Sequence, residues 1–194
     1  MKDPVASTTT DDCFHQYLLG VQIVQRWGDV WAWEHALNQL PHVRTIVEIG
    51  TLYGGLSLFL AMHAIQRGGL FYTLDTASGA NAAVRTPLGQ LVNMAGSMLT
   101  GDCWDESGGK KMLRDIFDNP NNHPLLLLCD GGNKPREMQT FIPMLQAGDY
   151  VAVHDWENEI NHPDLVSVKH RIEPLFWQAC EAAVSMTRFW KVLP

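Results

Sequence analysis

From residue 44 onward, short and almost wholly apolar runs alternate with longer stretches whose apolar residues recur every three or four positions. The short runs have the length of buried strands, and the longer ones that of the helices covering them. The pattern predicts strands over 45–49, 70–74, 97–100, 125–129 and 150–153, and helices over 56–66, 88–95, 110–117 and 136–145. Gly96 is placed to cap the second of these helices, and Asn119-Pro120-Asn121-Asn122 to break the third. Leu125-Leu126-Leu127-Leu128-Cys129 contains no polar residue, as a central parallel strand covered on both faces requires. A last helix is read over 172–182 and a terminal strand over 185–192. Upstream, residues 1–10 form a polar, Thr-rich arm, and Asp11-Asp12 are placed to cap a helix over 12–27. A second helix over 30–40 follows; Trp27, Trp31 and Trp33 are read as core anchors around it.

Alternating strands and helices of these lengths imply an α/β fold: a Rossmann-like, doubly wound, mostly parallel sheet with right-handed crossovers. The expected organisation is an N-terminal arm with helices over 1–43 and one sheet domain over 44–194. After the last helix there is room for about one strand, so the C-terminal strand region is expected to be shortened. An edge bared in that way invites cover by a second copy of the chain, a homodimer. In open parallel sheets ligands bind beyond the carboxyl ends of the strands. Here each of those ends carries or closely precedes an acid: Glu48, Asp75, Asp102, Asp130 and Asp155.

The first of these ends is the most specific. In Val47-Glu48-Ile49-Gly50-Thr51-Leu52-Tyr53-Gly54-Gly55 a strand ending in an acid runs into a glycine turn that opens a helix. Gly50 permits a tight turn with positive φ, and Gly54 and Gly55 permit close approach of backbone. The spacing is Glu-x-Gly-x-x-x-Gly, whereas a helix end that holds a pyrophosphate carries Gly-x-Gly-x-x-Gly. An acid at Glu48 suits a cationic ligand group such as an amine. Asp75, 25 residues after Gly50, can accept hydrogen bonds from ribose hydroxyls or cap a following turn.

The loop resembles motif I of the class I S-adenosylmethionine-dependent methyltransferases, and residues 128–134 and 152–156 resemble the fourth-strand and fifth-strand motifs of small-molecule O-methyltransferases. Phe141-Ile142-Pro143-Met144-Leu145 and Gly148-Asp149-Tyr150 match the segment between them, so the resemblance spans about 44–156. It implies methyl transfer from S-adenosylmethionine to a hydroxyl of a small molecule or sugar. The cofactor would be held by Glu48, Gly50, Thr51, Gly54 and Asp75, with Asp102, Cys103 and Trp104 beside the adenine and Asp130 on the pocket floor. Asp102 is equally suited to a simple turn. In the metal-dependent branch a fourth-strand Asp and a pair of acidic or amide residues after the fifth strand hold a divalent cation. Asp130 matches the first position, but His154-Asp155 supplies only one further carboxylate, so Mg²⁺ at Asp130 and Asp155 is left open. The metal-free alternative makes a neutral His154 the base, oriented by Asp130 or Asp155, with Lys134 as a second candidate. Two other readings stay in play: a nicotinamide-dependent oxidoreductase, which Asp75 fits, and a non-catalytic cofactor-binding scaffold.

Composition narrows the partners. A formal charge of −7, with Lys110-Lys111 the only adjacent basic pair, argues against a nucleic-acid surface. The absence of a long apolar run or an apolar leader argues against a membrane span and for the cytoplasm. Cys13, Cys103, Cys129 and Cys180 stand singly, as small core residues do, rather than in metal-binding or disulfide spacing.

Overall fold

The computed structural model describes residues 16–76 and 96–194. The expected arm over 1–10 and the helix over 88–95 lie outside these residues. Among those described, a seven-stranded sheet has the order β5-β4-β3-β6-β7-β9-β8. Its strands are β3 (Thr45–Ile49), β4 (Leu70–Asp75), β5 (Gly96–Thr100), β6 (Leu125–Cys129), β7 (Tyr150–Val153), β8 (Ile172–Leu175) and β9 (Arg188–Val192). The first five are parallel, and β9 and β8 close one side as an antiparallel pair.

Strand alternation sends successive side chains into two cores. Val47, Ile49, Leu127, Cys129 and Val151 pack with α3 (Gly109–Phe117) and α4 (Lys134–Phe141). Ile46, Leu126, Leu128 and Ala152 pack on the opposite face with α1 (Trp27–Gln39) and α2 (Gly55–Gln66). Helices on both faces of a mostly parallel sheet make the doubly wound Rossmann-like architecture that the alternating pattern implies.

The chain lays down β3, β4 and β5 in one direction and then returns to place β6 and β7 on the other side of β3. The reversal falls between β3 and β6, the position where such sheets open a crevice at their carboxyl end. Register brings the ends level: Ile49 pairs with Cys129, and Cys129 with Val153. The Asp130 amide donates to the Ile49 carbonyl at 3.0 Å. Gly50, Asp130 and His154 thus leave adjacent strands at one height, with Glu48 two residues further back in β3.

Four expectations are corrected. Residues 16–23 form a hairpin, β1 (Gln16–Leu18) and β2 (Val21–Ile23), where a helix over 12–27 was expected. Apolar residues at 18, 21 and 24 suit a helix, but Leu19 (φ 50°) and Gly20 (φ 83°) form a two-residue turn with two left-handed positions, which sets a hairpin. Of Trp27, Trp31 and Trp33, the last alone is a core anchor; Trp27 and Trp31 are exposed on α1. Gly96 opens β5 rather than capping a helix. The sheet has a second antiparallel strand at this end where one was expected: 172–175, read as helix, is an edge strand paired with β9 in which Pro174 is tolerated, and the last helix is only α5 (Trp177–Ala182).

Gly50 (φ 102°) makes the tight turn expected of it, and a Cβ there would stand 2.3 Å from the Asp130 carbonyl oxygen. Its glycine character therefore serves the junction of β3 and β6. Gly50→Ala is expected to lower stability by about 1 to 3 kcal/mol from the left-handed backbone alone, with the contact adding to it. Urea unfolding measures this, and a loss under about 0.5 kcal/mol would contradict the junction role.

Candidate functional site

At the switch point lies a pocket of about 220 Å³ lined by the glycine loop (Glu48, Gly50, Thr51, Gly54), by Gln25 of the segment after β2, and by Asp130, Lys134, His154 and Asp155. Glu48 is buried beneath the loop. Its carboxylate accepts from the Ser57 hydroxyl of α2 and from the Thr73 hydroxyl of β4 at 2.7 Å, and Thr73 lies 2.5 Å from the Thr51 hydroxyl. Three elements are thereby tied to one acid. Burial pushes the Glu48 carboxyl up to about 8, against the opposing pull of the Ser57 and Thr73 hydrogen bonds.

Opposite the loop stands a cluster of charges. His154 Nδ1 lies 3.4 Å from Asp130 and 3.3 Å from Asp155. Its Nε2 lies 3.4 Å from Asp29, an ion pair rather than a well-directed hydrogen bond. Burial alone would push the imidazole down, but hydrogen bonding and charge from Asp130, Asp155 and Asp29 hold it well above its usual value. That direction favours the imidazolium over the neutral ring expected of a general base. Lys134 is buried, with Nζ 2.8 Å from Glu159, 3.0 Å from Asp155 and 3.5 Å from Asp130. Burial would lower its pKa, yet the Asp130 charge and the Glu159 and Asp155 bonds outweigh that and keep it charged. Asp155 is pushed up by burial and down, more strongly, by His154 and Lys134, which leaves it well below the usual carboxylate range.

Local structure fixes these groups. Asp155 adopts a left-handed backbone (φ 58°), uncommon outside glycine and tolerated best by Asp and Asn. Trp156 anchors the loop behind it by donating its amide to the Met186 carbonyl and packing among Trp177 and Trp190. Asn133 caps α4 by accepting from the Arg136 amide, while buried Glu137 accepts from the Gly131 and Asn133 amides. That loop carries Asp130 and Lys134 into the pocket. Gln25 donates to Asp130 at 2.9 Å, and its buried carbonyl oxygen has no partner among the described residues.

Of the residues singled out in the sequence, the pocket gathers Glu48, Gly50, Thr51, Gly54, Asp130, His154 and Asp155. Asp75, Asp102, Cys103 and Trp104 do not line it. Asp75 accepts from the Leu52 amide at 2.8 Å and so braces the glycine loop from the end of β4. Asp102 accepts from the Trp104 amide, the turn role; Trp104 stacks on Phe141 beneath the Arg136 guanidinium. Burial pushes the half-buried Cys103 thiol up to about 12. Gln25, Asp29 and Glu159 were missed. Asp29 offers only a first-turn acid on a helix as a signal, and Gln25 and Glu159 offer none.

Asp130, His154 and Asp155 bring one potential ligand atom each within 4.8 Å of one another, as a divalent cation would need. Lys134 Nζ stands against the same two carboxylates, 3.0 Å from Asp155 and 3.5 Å from Asp130. The group as it stands does not fit a divalent ion.

No family model and no curated protein matches the chain. Among solved structures, a CmcI structure with SAH superposes with a TM-score of 0.61 at 14% identity over 98% of this chain and 95% of that one. A CmcI structure with Mg-SAM gives 0.55 at 19% identity over 72% of this chain; the match spans only 57% of that longer chain. An O-methyltransferase from Bacillus cereus in complex with SAH gives 0.54 at 17% identity, covering 84% and 80%. The chain shares its Rossmann-like fold with these structures. Among the described residues no helix is long and apolar enough to cross a membrane.

The buried acid of the loop gives this site a measurable pH signature. A folded-state value near 8 against an ordinary 4.5 means that folded Glu48 keeps a proton the unfolded chain has released. Stability should fall as pH rises from 4.5 to about 8 and level off beyond. Glu48→Gln should remove that fall, gaining on the parent at about pH 8 and matching it near pH 4. Equal differences at both ends, in thermal or urea unfolding, would contradict a buried neutral carboxyl.

Proposed function

We propose that this chain binds S-adenosylmethionine in the switch-point pocket and transfers its methyl group to a hydroxyl of a small molecule. The observation that carries the reading is the pocket's lining: the carboxyl groups of Glu48, Asp130 and Asp155 and a Gln25 carbonyl with no partner among the described residues, gathered around a glycine loop. Such a surface asks for a cationic ligand with N–H donors. S-adenosylmethionine has a sulfonium, an ammonium and no phosphate. The pyrophosphate of a nicotinamide dinucleotide would meet Asp130 and Asp155 instead, and the loop lacks the matching glycine spacing. The likeness to methyltransferases of known structure supports the same choice through the fold.

In this reading Glu48, Gly50, Thr51 and Gly54 hold the amino acid end, Asp75 the ribose hydroxyls, and Asp102, Cys103 and Trp104 the adenine side. The cofactor supplies an electrophilic methyl on sulfur and leaves as a neutral thioether. The chain's own work is to align an acceptor oxygen and to take its proton. Asp130 is the assigned proton acceptor, with one oxygen held by Gln25 and the other facing His154 and Lys134. His154, as an imidazolium, and Asp155 position Asp130. Most of the rate gain comes from that alignment, since orientation of two reactants lowers the barrier without new chemistry.

Incubation of the protein with S-adenosylmethionine and a panel of hydroxylated small molecules should yield S-adenosylhomocysteine, read by mass spectrometry. Asp75→Ala should weaken S-adenosylhomocysteine binding by about 1 to 3 kcal/mol, the loss for hydrogen bonds to a charged group. Asp130→Asn should lower turnover by about 10²- to 10⁴-fold while leaving that affinity within about threefold. Unchanged turnover in Asp130→Asn would remove it as proton acceptor. Unchanged affinity in Asp75→Ala would end the ribose assignment.

A further inference from the structure

We propose that the Lys134 ammonium is the resident cation of this pocket, standing where a divalent ion would bridge Asp130 and Asp155. The proposal concerns which cation the pocket holds and does not depend on methyl transfer being its reaction. Around Nζ lie Glu159 Oε2 at 2.8 Å, Asp155 Oδ2 at 3.0 Å, the Gly131 carbonyl at 3.3 Å and Asp130 Oδ1 at 3.5 Å. Three carboxylate oxygens and a backbone carbonyl are the hard-oxygen set that calcium or magnesium would select. Here they converge on nitrogen.

The lysine is not a stray side chain swung into a vacant space. It is 4% exposed and sits in the first turn of α4, whose start is fixed by the Asn133 cap and whose preceding loop is pinned by Glu137. Asp155 reaches it from a left-handed backbone position, and Glu159 reaches it from the far end of the loop that follows β7. An ion bridging Asp130 and Asp155 at the usual distance of about 2.0 to 2.6 Å from each oxygen would press against the ammonium, with the His154 ring on the other flank of the same oxygens. Either Lys134 leaves or the ion does not bind, and Glu159 holds Lys134 in place.

This accounts for the acid that the sequence lacks. Where a divalent site would want a further carboxylate, the chain carries His154, and its Lys134 supplies a covalently tethered charge. Such a cation cannot dissociate, be chelated or vary with metal supply.

Manganese titration followed by electron paramagnetic resonance, without cofactor, tests it in the full chain. The parent should leave the free Mn²⁺ signal undiminished up to about 1 mM, while Lys134→Ala and Lys134→Gln should each bind one Mn²⁺ at least about tenfold more tightly than the parent. Asp130→Asn added to either should abolish the gain. Parent protein that binds Mn²⁺ at about 0.1 mM and loses it in Asp130→Asn would overturn the proposal, even if neither lysine variant folds. So would folded lysine variants, judged by circular dichroism, that gain no affinity. Failure of cofactor binding would leave these outcomes unaffected.

Discussion

Two buried cations, Lys134 and His154, meet four carboxylates from three segments that are distant in the chain: Asp29, Asp130, and Asp155 with Glu159. Like charges cannot be gathered at the end of a sheet unless opposite charges are buried with them. Removing one partner of a buried ion pair typically destabilises by about 3 to 5 kcal/mol, because it strands the other. The network therefore constrains the fold as much as the chemistry. It fixes the ends of β6 and β7, the first turn of α1 and the loop after β7 relative to one another.

Asp29 extends the constraint to the C-terminal strands. One of its oxygens accepts from the Ser185 hydroxyl and from the Met186 and Thr187 amides, while the other faces His154. The turn that leads into β9 is thus bound to the same acid that flanks the pocket. Glu48 performs the corresponding service on the other wall by joining β3, β4 and α2 through hydroxyls. Two buried acids, one whose pKa its partners lower and one whose pKa burial raises, frame the pocket from opposite walls.

Much of this was legible in the sequence, because apolar runs such as Leu125–Cys129 and the Glu48 to Gly55 turn encode strands and strand ends directly. Of the acids at those ends, Glu48, Asp130 and Asp155 line the pocket and Asp75 and Asp102 do not. What was not legible depended on contacts rather than pattern. Apolar residues at 18, 21 and 24 fit a helix as well as a hairpin, and only the left-handed pair Leu19 and Gly20 separates them. Pro174 reads as a disruption until the strand holding it is known to be an edge. Lys134 was visible four residues after Asp130, yet two of the carboxylates that keep it charged, Asp155 and Glu159, lie 21 and 25 residues away. His154 was visible at the end of β7, but the upward shift of its pKa depends on Asp130, Asp155 and Asp29 meeting at its ring, and nothing in the sequence places the helix of Asp29 beside it.

The central claim is that this pocket selects a phosphate-free cationic nucleoside. Isothermal titration of the full chain with S-adenosylhomocysteine and, separately, with oxidised nicotinamide adenine dinucleotide tests it most directly. Saturable one-to-one binding of the first and no heat from the second is the predicted result. Specific binding of the dinucleotide, or none of S-adenosylhomocysteine, would contradict the account.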